Sequence, residues 1–220
     1  MCMDNFCIEL KNIRKSFGEK EILTGVNFCV KNGCFSAITG PSGCGKSTFL
    51  NVLGLLSDFD GEYYIDGTRV LPKDYTRIRS NHIGFVFQLY YLLSKSTVKD
   101  NILLPLIYTD RRKVRRAYDK YEELVDRLGL MNLQDKPVSV LSGGEKQRTA
   151  IARVMILEPD ILVADEPTGA LDKGNAEEIM KCFRNYADEG HSVIMVTHDE
   201  ILAKNTDKIY RLEEGKLYES

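Results

Sequence analysis

The sequence predicts an α/β domain built on a mostly parallel sheet, and three stretches carry that prediction. Gly40-Pro41-Ser42-Gly43-Cys44-Gly45-Lys46-Ser47-Thr48 fits G-x-x-x-x-G-K-[ST], between a short apolar strand at 34–39 and an amphipathic helix at 47–53. Ile161-Leu162-Val163-Ala164-Asp165-Glu166 is an apolar run that ends in two carboxylates. Residues 192–197 form a second such run, ending in His198-Asp199. Short continuous apolar runs suit strands covered on both faces, and polar groups at their carboxyl ends stand where open α/β sheets bind ligands.

The other elements follow in order. From Phe6 to Val30 apolar and polar residues alternate and turns intervene, which predicts antiparallel strands. Residues 61–70 read as a hairpin around Asp66-Gly67. Pro72 opens a short helix to about Ser80, a strand at 83–87 follows, and Gln88 stands where that strand runs into a loop. Helices are expected at 97–104 and 110–128, the second with Val114, Tyr121, Leu124, Val125 and Leu128 on one stripe. A helical run at 149–157, a helix at 175–188, and a closing hairpin of 208–212 and 216–218 around Glu214-Gly215 complete the pattern. No repeat or linker interrupts it, so residues 1–220 read as one domain, with a helical lobe of about 88–140 inserted in the core.

Composition excludes several classes. With 220 residues, 43% hydrophobic and 28% charged, the chain can bury a substantial core. A net charge of −2 gives no overall pull toward nucleic acid or anionic lipid. The cluster Arg111, Arg112, Lys113, Arg115 and Arg116 shares its helix with Asp119, Glu122, Glu123 and Asp126, so a solvated face is the reading, with no nucleic-acid partner. Residues 1–6 lack a basic stretch leading into an apolar one, so no signal peptide is expected. No run approaches the roughly 20 apolar residues of a membrane span. Cys2, Cys7, Cys29, Cys34, Cys44 and Cys182 make no Cys-x-x-Cys pair, and reduced, mostly buried thiols are expected.

The chemistry gathers at a few positions. Glycines 40, 43 and 45 let the backbone wrap a phosphate while loop N–H groups and a helix N-terminus point at it. Lys46 is expected to reach the β- and γ-phosphates, and the Ser47 hydroxyl to ligate Mg²⁺. Asp165 is placed to hold Mg²⁺ through water and Glu166 to orient or polarise an attacking water. Paired buried acids would be costly without such a cation. In 140–148, Ser142, Gly143 and Gly144 offer a hydroxyl and unhindered N–H groups at a helix start, a second anion site. Either the two anion sites meet within one chain, or each serves a nucleotide held by another copy. Phe17 suits stacking on an adenine ring or burial in the core. Tyr90, Tyr91, Leu92 and Leu93 suit docking of a partner helix or packing against the chain's own helical lobe.

Together these residues resemble the ATP-binding subunit of ABC transporters. Leu141-Ser142-Gly143-Gly144-Glu145 is similar to that family's signature sequence, 96 residues from Lys46 to Ser142 and 23 from Ser142 to Asp165, in the family's order. The resemblance implies a P-loop NTPase (RecA-like) core with an N-terminal antiparallel β lobe and an inserted helical lobe. It implies ATP and Mg²⁺ as ligands, Phe17 as the adenine-stacking aromatic, and Gln88 as the residue that senses the γ-phosphate and joins Ser47 and Asp165 at the metal. It further implies Asp172 as part of the dimer-crossing loop and His198 as the switch histidine. Pro41, Ser42, Cys44 and Thr48 then complete the phosphate loop, and Lys46, Gln88, Glu166 and His198 carry hydrolysis.

Residues 87–93, 101–106 and 164–172 are similar to the lipoprotein-release, macrolide-export and antimicrobial-peptide-resistance ATPases, although Glu145 and Ser94 stand where the wider pattern favours glutamine and proline. The implied partners are a second copy of the chain and a transmembrane permease subunit, which would hold it at the inner face of the cell membrane. A soluble ATPase of the same family, working in cell division, cluster assembly or repair, is the alternative. A phosphate-loop kinase or GTPase has no use for 141–145 or His198, and a non-catalytic module would have no need to keep Lys46, Glu166 and His198 together.

Overall fold

The computed structural model describes residues 6–169 and 171–220, so Cys2 and Ala170, both singled out in the sequence, lie outside the described residues. The chain opens on two long strands, β1 (Phe6–Phe17) and β2 (Lys20–Lys31), joined by a tight turn. They are longer than the separate short strands expected, because register shifts along the pair absorb the residues that break the alternation, including Asn12 at φ 51°. β3 (Phe35–Thr39) leads through the glycine loop into α1 (Lys46–Leu53). β4 (Asp60–Ile65) and β5 (Thr68–Arg69) form the expected hairpin, with Asp66 and Gly67 at φ 47° and 72°.

A 3-10 turn at Pro72–Asp74 precedes α2 (Tyr75–His82) and β6 (Ile83–Val86). α3 (Val98–Leu103) and α4 (Arg111–Arg127) follow, N-capped by Thr97 and Asp110. α5 (Gly143–Met155) begins six residues before the expected 149, because Ser142 and Glu145 form a capping box. Then come β7 (Ile161–Asp165), α6 (Lys173–Asp188), β8 (Ser192–Val196), the short α7 (Glu200–Ala203), β9 (Lys208–Glu213) and β10 (Lys216–Glu219).

Two sheets result. One is antiparallel, in the order β2-β1-β4-β5; the other runs β10-β9-β3-β8-β7-β6, parallel throughout except for the β10–β9 edge. The strands of the second sheet alternate between two cores. Ala37, Leu162, Ala164, Val193 and Met195 face Tyr121, Leu124 and Val125 of α4, Ile151 and Met155 of α5, and Phe183 of α6. Ile38, Ile161, Val163, Ile194 and Val196 face Phe49, Leu50 and Leu53 of α1 and the antiparallel sheet. A strand with apolar residues on both faces reads as an unbroken apolar run, which is why β7 and β8 were visible in the sequence.

Phe35 on β3 meets Phe183 edge-on, with centroids 6.0 Å apart. Each such fully buried side chain contributes about 1.5–3 kcal/mol. Among the described residues the thiols are free; Cys7 and Cys182 are buried, while Cys29, Cys34 and Cys44 are only partly so, against the expectation of mostly buried cysteines. Among the described residues no helix is long and apolar enough to cross a membrane.

Candidate active site

Three adjacent parallel strands, β3, β8 and β7, deliver the site at their carboxyl ends. β3 ends in the glycine loop. Gly40 sits at φ 150°, where a Cβ would lie 2.3 Å from the Leu212 carbonyl oxygen, so only glycine lets the loop pass this close to β9. Gly45, at φ 106°, caps α1 and is pressed against Ile22 of β2. Gly43, at φ 77°, has nothing within 4 Å of its Cβ position, which leaves open space above the loop. The first-turn N–H groups of α1 lack intrahelical acceptors, and the helix opens on a cation, Lys46. Lys46 folds back along the loop, its Nζ donating to the carbonyls of Gly40 at 2.8 Å and Pro41 at 3.0 Å. Loop amides, a helix end and an adjacent ammonium fit a phosphate chain; Ser42 and Ser47 are exposed beside them, and Cys44 and Thr48 partly buried.

β7 ends in Asp165, whose backbone pairs with Val196 of β8. Burial pushes its carboxyl above the ordinary range, the neighbouring Glu166 adds to this, and Lys46 opposes it. Glu166 takes a left-handed backbone, φ 46°, with its N–H donating to the Val196 carbonyl at 3.0 Å. Such strain in a residue with a Cβ is held by surrounding structure and concentrates at functional sites. The Glu166 carboxylate lies 2.8 Å from Nδ1 of His198, the residue after β8 and Thr197. The acids are therefore less enclosed than expected: the Glu166 side chain keeps 14% exposure and His198 keeps 68%. Ser47, Asp165 and Gln88 offer the hydroxyl, carboxylate and amide oxygens that suit a hard divalent cation, with phosphate oxygens for the rest.

Phe17, at the end of β1, is 59% exposed, so the core alternative falls. The Lys15 ammonium lies over its ring, 5.3 Å from the centroid. Gln88 is exposed, just beyond β6. The loop after it divides between the two readings open in the sequence. Leu92 packs against the core, and the Tyr90 and Tyr91 carbonyls accept hydrogen bonds from the Arg153 guanidinium on α5, at 2.8 and 2.6 Å. Leu89, Tyr91 and Leu93 point outward, and Tyr91, Phe85, Phe87, Pro105, Val154 and Leu157 line part of a groove of about 540 Å³.

The expected second anion site lies at the start of α5. The Ser142 hydroxyl accepts the Glu145 N–H at 3.3 Å, and the Ser142 N–H donates to the Glu145 carboxylate at 2.7 Å. These bonds, backbone first, hold the Glu145 carboxyl below its ordinary value. Gly143 is open, with the Tyr90 hydroxyl as the nearest atom to its Cβ position, at 3.5 Å. Gly144 is buried, and a Cβ there would stand 2.6 Å from Oδ1 of Asn175, so this position admits no side chain. Asp172 caps α6, and its N–H···carboxylate bond from Asn175 is the main cause of its lowered pKa. The atoms nearest Gly40 and Gly45 come from Leu212 and Ile22, those nearest Gly143 and Gly144 from Tyr90 and Asn175. The glycines of the two expected anion sites thus meet different neighbours in one chain. Sequence reasoning missed Asn175, Arg148 and Arg153; only their positions on α5 and α6 hinted at them.

Known proteins resemble this chain in sequence and fold. The family described as ABC transporter matches residues 23–169. A macrolide export ATP-binding/permease protein of Mannheimia succiniciproducens is 40% identical over 218 residues, 96% of this chain and 34% of that protein. This chain thus spans about a third of that relative's length. A lipoprotein-releasing system ATP-binding protein of Rhodopseudomonas palustris is 38% identical over 96% of this chain and 97% of its own. Among solved structures, a dimeric ATP-binding cassette in a post-hydrolysis state with ADP and Pi aligns at TM-score 0.83 and 36% identity, covering 97% of both chains.

Proposed function

The chain belongs to the ABC transporter family as an ATP-binding cassette, and from that premise we propose that two copies close head to tail over two ATP molecules, hydrolyse them, and relay the closing and opening to a membrane permease. The observation that carries the reading is the meeting of the phosphate loop, Asp165-Glu166 and His198 at the ends of three neighbouring parallel strands.

Lys46 and the loop amides of 40–48 then neutralise the phosphates. Lys46 has to leave the Gly40 and Pro41 carbonyls to do so, exchanging two neutral acceptors for an anion. Phe17 offers its exposed face to the adenine. Ser47, Asp165 and Gln88 would hold Mg²⁺, which supplies charge neutralisation at the β- and γ-phosphates. Glu166 accepts the proton of the water that attacks the γ-phosphorus, with ADP as leaving group, and His198 orients Glu166 and reaches the γ-phosphate. Ser142, Gly143 and Gly144 of one copy cap the nucleotide of the other, and Asp172 lies at the crossing between copies. The different neighbours of the two sets of glycines support this exchange over a single-chain site.

The permease would seat in the groove lined by Phe87 and Tyr91, which stand one residue before and three residues after the γ-phosphate sensor Gln88 and present exposed apolar surface. That groove favours a transporter role over a soluble ATPase of the same family. Membrane attachment runs through this partner alone, and its cargo belongs to the same class as lipoprotein release or macrolide export.

Glu166→Gln tests the reading. It keeps size and most hydrogen bonding but removes the basic oxygen, so turnover should fall on the order of 10²- to 10⁴-fold while ATP still binds. Light scattering should then show a shift from monomer to dimer with Mg-ATP. Near-wild-type hydrolysis would remove Glu166 from its role.

A further inference from the structure

One side chain ties the start of α5 to the start of α6. Asn175 donates its backbone N–H to Asp172 Oδ1 at 3.0 Å and its side-chain Nδ2 to Asp172 Oδ2 at 2.6 Å. Its Oδ1 accepts from Nη1 of Arg148 at 2.6 Å, and the same nitrogen reaches Glu178 Oε2 at 2.9 Å. Arg148 lies one helical turn after Gly144, and its side chain is only 14% exposed. The amide of Asn175 also closes over Gly144, with Cγ 2.7 Å and Oδ1 2.6 Å from a would-be Cβ there.

The chemistry of this joint is restrictive. Asp172 can only accept and Arg148 can only donate, so the group between them must do both at once. A carboxylate at 175 would satisfy Arg148 but oppose Asp172, and alanine would keep only the backbone bond to Asp172 and lose both side-chain bonds. A short amide against a glycine is the arrangement that lets two helix starts touch while their functional groups stay outward. Asp172 and residues 142–145 lie at opposite ends of a 30-residue stretch, and Asn175 bridges them, hydrogen-bonded to Asp172 and to Arg148 on the turn after 142–145, and packed over Gly144 itself.

We propose that Asn175 is a positioning residue that latches Asp172 to the signature turn 142–145, so that both segments of one copy move as a unit when the copies close over ATP. This rests on the two-copy reading above. Neither Asn175 nor Arg148 touches the phosphate loop through these bonds, so binding of ATP to a single copy does not depend on the latch. Closure does, because a loose Asp172 and a loose signature turn each have to be ordered in the dimer.

The experiment introduces Asn175→Ala and Asn175→Asp into the full-length Glu166→Gln chain. It measures ATP affinity at protein concentrations where the chain is monomeric, thermal stability without nucleotide, and the protein concentration at half-dimerisation with Mg-ATP. Expected are ATP affinity within about twofold of the parent and a dimerisation midpoint raised by roughly ten- to a hundredfold, about tenfold for each latch lost from the pair. Asn175→Asp should match Asn175→Ala in dimerisation although it keeps the shape and the Arg148 partner. An unchanged midpoint would overturn the latch. So would a parallel loss of ATP affinity and thermal stability, or an Asn175→Asp chain that dimerises like the parent, because each marks a packing role. A Glu166→Gln parent that binds ATP yet stays monomeric would remove the two-copy reading, and the latch with it.

Discussion

Replacing Gly40 with alanine tests the physical account of the phosphate loop. The new Cβ would lie 2.3 Å from the Leu212 carbonyl oxygen and 2.9 Å from Cys44 Sγ. The first contact is about 1 Å inside an ordinary C···O approach of about 3.3 Å. Leu212 is fully buried on β9, which pairs with β3 on one side and β10 on the other, so its carbonyl cannot retreat without opening the sheet. Overpacking of this kind costs about 1–3 kcal/mol. The positive φ adds about 1–2 kcal/mol for a residue with a Cβ. Together these come to about 2–5 kcal/mol, or a melting temperature lower by roughly 4–20 °C for a chain of this size.

Gly43→Ala is the control. It too stands at positive φ, 77°, but meets no neighbour, so its stability cost should stay near about 1–2 kcal/mol. Its methyl group would occupy the open space above the loop, and ATP affinity should fall out of proportion to stability. Urea unfolding and equilibrium ATP binding of both variants decide the matter. Gly40→Ala within about 0.5 kcal/mol of the parent, or less harmful than Gly43→Ala, would refute the reasoning.

Two further outcomes follow from charge and burial. Burial disfavours the Asp207 carboxylate, but two bonds from the Arg184 guanidinium at 2.7 and 2.8 Å and one from the Phe35 N–H at 2.8 Å outweigh it and hold its pKa below the ordinary value. The stabilisation is therefore fully present above about pH 4 and is lost as pH falls through the lowered value. With the carboxylate partly exposed, Asp207→Asn should cost about 1 kcal/mol at pH 7, and the gap to wild type should narrow below pH 4 in urea titrations; a gap independent of pH would contradict the pairing. Burial pushes the Cys7 thiol up to about 12 and Cys182 to about 11 and also raises Cys29, so among the described cysteines alkylation at pH 8 should label Cys44 and Cys34 first. Mg-ATP should protect Cys44 selectively, and equal loss of ATP binding in an alkylated Cys44→Ser chain would acquit that thiol.

The parts of the fold that were legible share a cause. β3, β7 and β8 are covered on both faces, so their burial is written as continuous apolar runs, and the polar residues that end those runs, Gly40, Asp165 and His198, marked the site edge. The glycine loop was legible because its spacing is local. What was hidden depends on segments far apart in sequence. Nothing near Gly144 announces that Asn175 covers it, and nothing near Tyr90 announces that Arg153 holds its carbonyl. α5 was read as starting late because glycines at 143 and 144 weaken helix propensity, whereas the Ser142–Glu145 capping box restores the first turn. Phe17 was ambiguous for the same reason, since an aromatic near a turn is buried or exposed according to strands that pair elsewhere.

The concentration dependence of ATP turnover by the wild-type chain tests the two-copy site most directly. If each nucleotide is closed by Ser142, Gly143 and Gly144 of a second copy, the rate at saturating Mg-ATP and low protein should rise with the square of protein concentration, a slope of about two on logarithmic axes that falls to one once dimers predominate. A slope of one down to concentrations where light scattering finds only monomers would show that a single chain completes its own site and would contradict the exchange.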